Sequence, residues 1–371
     1  MSGKIALFIP SLMGGGAEKV FVLLANSLQD HGMHVDMLLS TTSGKYFSLL
    51  DKNIRVVDFH SRQLFFTLPQ LIDYLRTEKP DILLSAVENA NTWALIAKKL
   101  SGSSTPVMIT EHNNWSQILS HQPSPKEKLL FQIARIVYPW ADRIVAVSNG
   151  IRTDLLQMIR LDPQQVICIF NPVVPLDLPS LTIMPVEHPW LKNKEKPVLI
   201  SIGRLVLQKD FETLIQAFDL VKKQIACRLI ILGEGPERKN LQAIIEKLGL
   251  QADIDMPGFV ENPYAWMAKS DLFVMSSRYE GLPTVLIEAM ACGTPVISTD
   301  CISGPAEILE NGKYGDLVPV ADPETLAAII IRNISTSQSA TSHLKERANT
   351  FSITNATNAY LATMEKLTRN E

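Results

Sequence analysis

Leu272-Phe273-Val274-Met275-Ser276-Ser277-Arg278-Tyr279-Glu280-Gly281-Leu282-Pro283-Thr284-Val285-Leu286-Ile287-Glu288 is a short apolar run, a polar turn and the start of a second apolar run. Four apolar residues bounded by turn formers read as a buried strand, and Thr284–Cys292, closed by Gly293, reads as a helix. Such a strand–turn–helix passage is one βα unit of a parallel sheet. Helix N-termini present unpaired N–H groups and a partial positive charge. Pro283 lacks an N–H and sets the entry, so Thr284, Val285 and Leu286 are the expected donors to an anion. Glu280 precedes the helix and Glu288 lies one turn inside it, where a carboxylate can accept hydroxyl donors. The plain alternative is a solvated surface pair of acids, since acids favour a helix start in any case.

Outward from this unit the same alternation recurs. In the second half, strands are expected at Pro197–Ile202, Arg228–Leu232, Leu272–Met275 and Pro295–Ser298, with helices at Phe211–Gln224, Arg238–Leu248 and Thr284–Cys292. In the first half, strands are expected at Ile5–Pro10, Val35–Leu39, Ile54–Phe59, Ile82–Ser85, Val107–Thr110, Arg143–Val147 and Val166–Ile169. Helices are expected there at Ala17–His31, Pro69–Lys79, Asn91–Leu100 and Lys126–Tyr138. The strands are apolar on both faces, as a sheet covered by helices on both sides requires. Between them, Pro172, Pro175, Pro179, Pro185, Pro189 and Pro197 break the pattern, because proline continues neither a helix nor a central strand. The expected organisation is a domain at 1–177, a linker at 178–196, a second domain at 197–350 and a terminal segment, 351–371, whose helix at Thr354–Leu367 has no assigned packing side.

A length of 371 residues suits two domains, and 46% hydrophobic with 20% charged residues suits a folded globular enzyme. A net charge of -3 with neither half basic argues against nucleic acid as a partner. No apolar run reaches membrane-spanning length, and the N-terminus lacks the order of a signal peptide. Cys168, Cys227, Cys292 and Cys301 form no Cys-x-x-Cys and read as structural thiols of a cytoplasmic protein. No histidine or Asp-x-Asp spacing suggests a metal.

Three further constellations lie at strand ends. Gly203-Arg204 follows Val198–Ile202, with Lys209 five residues on; two cations at a strand-to-helix turn suit a diphosphate. Gly233-Glu234-Gly235-Pro236 is a second glycine turn, unspecific alone. Gly14-Gly15-Gly16 precedes the helix from Ala17, and Asp36 follows Gly16 by twenty residues. The dinucleotide fingerprint still fails, because Lys19 stands where its third glycine belongs. His112, in Thr110-Glu111-His112-Asn113-Asn114, ends another expected strand, where it is either a ligand contact or an ordinary loop histidine.

Together these motifs resemble the retaining glycosyltransferases of the GT-B fold, specifically family 4 (glycosyl transferases group 1) of bacterial glycan assembly. The resemblance rests on Gly14-Gly15-Gly16-Ala17-Glu18, Glu111-His112, Arg143-Ile144-Val145-Ala146-Val147-Ser148-Asn149-Gly150 and Asn171-Pro172. It continues through Gly203-Arg204 with Lys209, Gly233-Glu234-Gly235 and Pro257-Gly258-Phe259-Val260, and is strongest at Glu280-x7-Glu288 leading into Ala289-Met290-Ala291-Cys292-Gly293-Thr294-Pro295-Val296.

The resemblance implies an α/β fold of two Rossmann-like doubly wound domains facing across a cleft. It implies that Arg204 and Lys209, beside Gly203, hold the diphosphate of a nucleotide-sugar donor, most commonly UDP-linked. Glu288 would bind the ribose, Glu280 and His112 the transferred sugar, Gly15 and Gly16 the diphosphate or acceptor, and the Val260 backbone the base. Gly304-Pro305-Ala306-Glu307 departs from the commoner two-glycine form of its motif, so no contact is carried over there. The implied reaction moves a hexose or N-acetylhexosamine to a glycan or polyprenyl-linked saccharide, with retention and without metal or cofactor. The rivals are a GT-B-like nucleotide-sugar epimerase or hydrolase, acting on donor alone, and a non-catalytic sugar-binding protein. Lys126–Val137 is slightly basic and amphipathic, so peripheral contact at the inner face of the cytoplasmic membrane is a further expectation.

Overall fold

The computed structural model describes residues 3–61, 63–120, 123–336 and 341–369, so the outermost residues of the expected first and last segments lie outside it. It divides into two compact units, Met1–Pro172 with Ile353–Glu371, and Val173–Ser352.

The first unit is a seven-stranded, all-parallel sheet in the order β3-β2-β1-β4-β5-β6-β7. Its strands are β1 Lys4–Ile9, β2 His34–Leu39, β3 Arg55–Asp58, β4 Ile82–Ala86, β5 Val107–Glu111, β6 Arg143–Ala146 and β7 Val166–Cys168. All seven fall where the apolar runs predict them. Order reverses between β1 and β4, which places the glycine loop after β1 at a topological switch point, where such sheets open a crevice. The core forms from strand residues such as Ile5, Leu7 and Leu84 with Phe21, Leu24 and Leu28 of the helix Gly16–Asp30. Asp36 has no role open for a cofactor ribose: it accepts the Tyr74 hydroxyl at 2.6 Å and pairs with Lys4 at 3.3 Å and Arg55 at 3.5 Å.

The second unit is a six-stranded parallel sheet in the order β10-β9-β8-β11-β12-β13. Its strands are β8 Val198–Ile202, β9 Arg228–Leu232, β10 Ile254–Gly258, β11 Leu272–Met275, β12 Val296–Thr299 and β13 Asp316–Val318. Here the switch point lies between β8 and β11, so it is flanked by the loops that carry Lys209 and Glu280. The helix Thr284–Cys292 buries Leu286, Ile287, Ala289, Met290 and Ala291, and Glu288 with them. It ends at Gly293, whose φ of 80° takes the left-handed cap.

One segment differs from expectation, and the packing side of another, left open by the sequence, is settled. Residues 178–196 are no free linker. They belong to the second unit, with short helices at Leu178–Thr182 and Pro189–Lys192, and Val186 and Leu191 are buried. Proline is compatible with the first helical turn, which is where Pro179 and Pro189 stand. Asn262 Nδ2 donates to the Leu181 carbonyl at 2.8 Å, and His188 meets Asp255 at 2.9 Å, fastening the segment down. The terminal helix, Ile353–Thr368, returns to the first unit: Tyr360 and Met364 join its core, and Thr357 Oγ1 donates to Ser27 Oγ at 2.9 Å.

Candidate functional site

In the second unit the site is built from two loops that are stitched together. The loop after β8 carries Gly203, Arg204 and a single turn, Leu207–Lys209; the loop after β11 carries Ser276 to Pro283. The Arg278 N–H donates to the Gln208 carbonyl at 2.8 Å, Gln208 Nε2 to the Tyr279 carbonyl at 2.8 Å, and Ser276 Oγ to the Lys209 carbonyl at 2.9 Å. These bonds bring Lys209 Nζ to 2.5 Å from Glu280 Oε1, which also accepts from Ser277 Oγ at 2.7 Å. Glu280 is therefore not a lone acid pointing outward. It is buried and paired, and a charge that is desolvated needs such a partner.

The ammonium of Lys209 keeps further donors beyond the one engaged by Glu280. Arg204 is exposed, and among the described residues it forms no ion pair. Of the expected helix donors, the Leu286 N–H is already bonded to the Pro283 carbonyl at 3.1 Å, which leaves Thr284 and Val285 at the open end. Glu288 is buried one turn in and accepts the Tyr264 hydroxyl at 3.2 Å, a partner the sequence did not announce. Val260 is half-buried after Gly258, whose φ is 99°. Burial pushes the neighbouring Cys301 thiol up to about 12, so it stays protonated and unreactive.

The glycines of this unit have packing reasons. A side chain at Gly233, where φ is 136°, would collide with the Gly203 carbonyl, and one at Gly235 with the Leu205 carbonyl. That turn lets the Arg204 loop approach; the Leu205 N–H duly donates to the Glu234 carbonyl at 2.9 Å. Gly304, with φ of 92°, makes room in the same way for the Pro283 ring, so this motif supports the turn before the helix.

In the first unit, the β5 edge presents His112. Thr110 Oγ1 gives its one hydrogen to the Ser85 carbonyl at 3.0 Å, so at its 3.1 Å contact with His112 Nε2 the ring nitrogen is the donor. Nδ1 is then the acceptor. Burial lowers the ring's pKa to about 4, and His112 is neutral. Beside it, Glu111 is wholly buried and accepts the Tyr138 hydroxyl at 2.8 Å. Burial, with Glu88 nearby, raises the Glu111 carboxyl well above the usual range, which favours its neutral form.

The glycine loop is closed from within. Glu18 accepts the Gly14 N–H at 2.6 Å and the Gly15 N–H at 2.7 Å, and Ser11 Oγ at 3.1 Å. The Gly15 donor expected for a ligand is thus engaged by the chain's own carboxylate, while a side chain at Gly16 would meet open space. A hollow of about 400 Å³ between Gly3, Met33, Asp81 and Met364 lies at the opposite, amino-terminal edge of the sheet, away from these loops.

Comparison with known proteins matches a family model described as Glycosyl transferases group 1 over residues 186–351 and one described as Glycosyltransferase Family 4 over residues 14–175. A Campylobacter jejuni protein, N-acetylgalactosamine-N,N'-diacetylbacillosaminyl-diphospho-undecaprenol 4-alpha-N-acetylgalactosaminyltransferase, is 30% identical over 341 residues, covering 87% of this chain and 88% of its own. The lipopolysaccharide core biosynthesis glycosyltransferase LpsE of Rhizobium meliloti is 28% identical, over 94% of this chain and 95% of its own. Among solved structures, Anabaena Alr3699/HepE in complex with UDP superposes with a TM-score of 0.82 at 22% identity, over 98% of this chain and 100% of that one. At that identity the likeness is one of fold.

Proposed function

The chain belongs to the family 4 glycosyltransferases of GT-B fold, and from that premise we propose a retaining transfer from a nucleotide diphosphate-sugar. The observation that carries the reading is the set of groups on one sheet edge: Lys209 on Glu280, the exposed Arg204, the open helix end at Thr284 and Val285, and the buried Glu288. In this reading Arg204 and Lys209, with the helix N–H groups, hold the diphosphate and stabilise its charge as the anomeric C–O bond breaks. Glu288, steadied by Tyr264, accepts ribose hydroxyls, Glu280 accepts hydroxyls of the transferred hexose or N-acetylhexosamine, and Val260 meets the base. In the first unit, the neutral His112 offers Nδ1 to a sugar hydroxyl. No side chain serves as a nucleophile: the departing phosphate oxygen takes the acceptor proton as the acceptor oxygen bonds to the same face of the sugar. The two cations make a divalent metal unnecessary, so turnover persists in a chelator.

UDP is the favoured nucleotide, a reading supported by the fold likeness to a protein solved with UDP. The acceptor is proposed to be a lipid-linked or free glycan, in line with the relatives' names. Among the described residues no helix is long and apolar enough to cross a membrane. The helix Pro125–Val137 and the turn after it, however, expose Leu129 and Ile136 with Trp140, beside exposed Lys128 and Arg135. That face supports peripheral contact with an anionic inner membrane leaflet. A thermal-shift screen across nucleotide-sugars tests the donor, because a bound ligand raises Tm by mass action. Donor consumption without any acceptor would instead favour an epimerase or hydrolase.

A further inference from the structure

We infer that Arg278 and Asp210 are a positioning pair that determines where the Lys209 ammonium and the Glu280 carboxylate stand; the inference rests on the reading of Lys209 as a holder of the donor diphosphate. Asp210 caps the turn Leu207–Lys209. Its φ of 48° and ψ of 46° are left-handed, a conformation that glycine takes without strain and an L-residue does not. It is also buried, and a buried carboxylate is costly unless its oxygens are occupied. A glycine would make the turn more easily, so the side chain must serve for something.

What it does is visible in its partners. Arg278 Nε donates to Asp210 Oδ2 at 3.0 Å and its terminal NH2 to Oδ1 at 3.2 Å, while Thr213 Oγ1 donates to Oδ2 at 3.0 Å. A planar fork on both oxygens fixes orientation as well as distance, which a lysine cannot do. Asp210 directly follows Lys209, and Arg278 stands two residues before Glu280. The fork therefore ties the two chain positions that carry the proposed donor-binding groups. It is also an electrostatic necessity: with Arg278 absent, the Asp210 carboxylate would compete with Glu280 and with a bound diphosphate for the neighbouring ammonium.

The experiment is a double-mutant cycle on nucleoside diphosphate affinity, measured by calorimetry with UDP and, in parallel, GDP. Arg278→Lys and Asp210→Gly are used, because Arg278→Ala would strand a buried charge and risk unfolding. Asp210→Gly relieves the left-handed strain, so its Tm is expected to stay near that of the parent. Lys209→Ala is expected to weaken the nucleotide at least about tenfold, and each pair variant to weaken it by roughly three- to tenfold. In the Lys209→Ala background the pair variants should add less than about twofold, since the ammonium they position is gone. If they retain their full penalty there, the pair is merely structural and the inference is overturned. If Lys209→Ala leaves the affinity of both nucleotides unchanged, the donor-holding reading itself fails and takes the inference with it.

Discussion

The two units place chemistry at the same part of the same kind of sheet, yet they hold it in opposite electrostatic states. At the carboxyl edge of the first sheet, polar groups are kept neutral: His112 is lowered to about 4 and Glu111 is raised, each by burial. Its glycine loop closes on an internal acid, Glu18. At the carboxyl edge of the second sheet, charges persist in pairs, Lys209 with Glu280 and Arg278 with Asp210, and Arg204 is left exposed. Neutral donors and acceptors suit sugar hydroxyls, which carry no charge. Paired cations beside an open helix end suit a diphosphate, whose charge grows as it leaves. On the proposed reading, one fold would thus serve two kinds of recognition, decided by burial and by which charges find partners.

The largest expected effect tests the charged side. Lys209→Ala is predicted to lower kcat by roughly 100-fold or more, the scale for losing one preorganised stabiliser of developing charge. Glu280→Ala is expected to keep UDP affinity but lose turnover, measured by calorimetry and steady-state assay. Glu288→Ala should do the reverse, weakening UDP by about tenfold or more through the lost hydroxyl contacts. Equal losses of UDP in both acid variants would break the assignment of sugar to one and ribose to the other.

The neutral side can be broken through stability. Glu111→Ala removes the partner of a buried Tyr138 hydroxyl and is expected to cost about 1–3 kcal/mol in denaturant unfolding. Glu111→Gln keeps an acceptor there and should cost less. The pH dependences of the two neutral groups run in opposite directions. The His112 contribution is complete above its ordinary 6.5 and is lost as pH falls towards about 4. That of Glu111 is complete below its ordinary 4.5 and is lost as pH rises towards its raised value. Between pH 6.5 and 4.5, a His112→Gln variant should therefore lose less stability on acidification than the parent, and Glu111→Gln more. The reverse order in Tm would show that one of these groups is charged in the folded state. The smallest effect is Gly16→Ala, expected to leave Tm within a degree or so because a Cβ there meets open space. A drop in activity at unchanged Tm would mark Gly16 as lying against a ligand.

Much of the fold was legible in the chain. Seven strands of the first sheet and four of the second stand where apolar runs predict them, within a residue or two at their ends. The two strands passed over, Ile254–Gly258 and Asp316–Val318, are the edges of the second sheet. Both are only partly buried, and their short runs, Ile254-Asp255-Met256-Pro257-Gly258 and Asp316-Leu317-Val318, carry too few apolar residues to stand out. The glycine turns were legible as turns, but not their purpose: Gly233 yields to the Gly203 carbonyl and Gly304 to Pro283. Of the candidate site, Glu280, Glu288, Arg204 and Lys209 were legible as residue types at strand ends. Tyr264, Ser277 and the Arg278–Asp210 fork were not, since nothing local distinguishes them from ordinary loop and helix residues.

By itself the sequence determined the βα alternation, the two parallel sheets and the family, because apolar runs, glycine and proline act over a few residues. Only the tertiary structure decided the rest. It sends the terminal helix back to the first unit and folds the proline-rich segment onto the second. It lets Glu18 occupy the glycine loop and brings Lys209 to Glu280, 71 residues away along the chain. It also decides which acids and bases stay charged, as with Glu111 and His112. The physical reason is common to all of these. Ion pairing and desolvation depend on which distant groups come within a few ångströms and on how much water they lose, and neither is a property of neighbours in sequence.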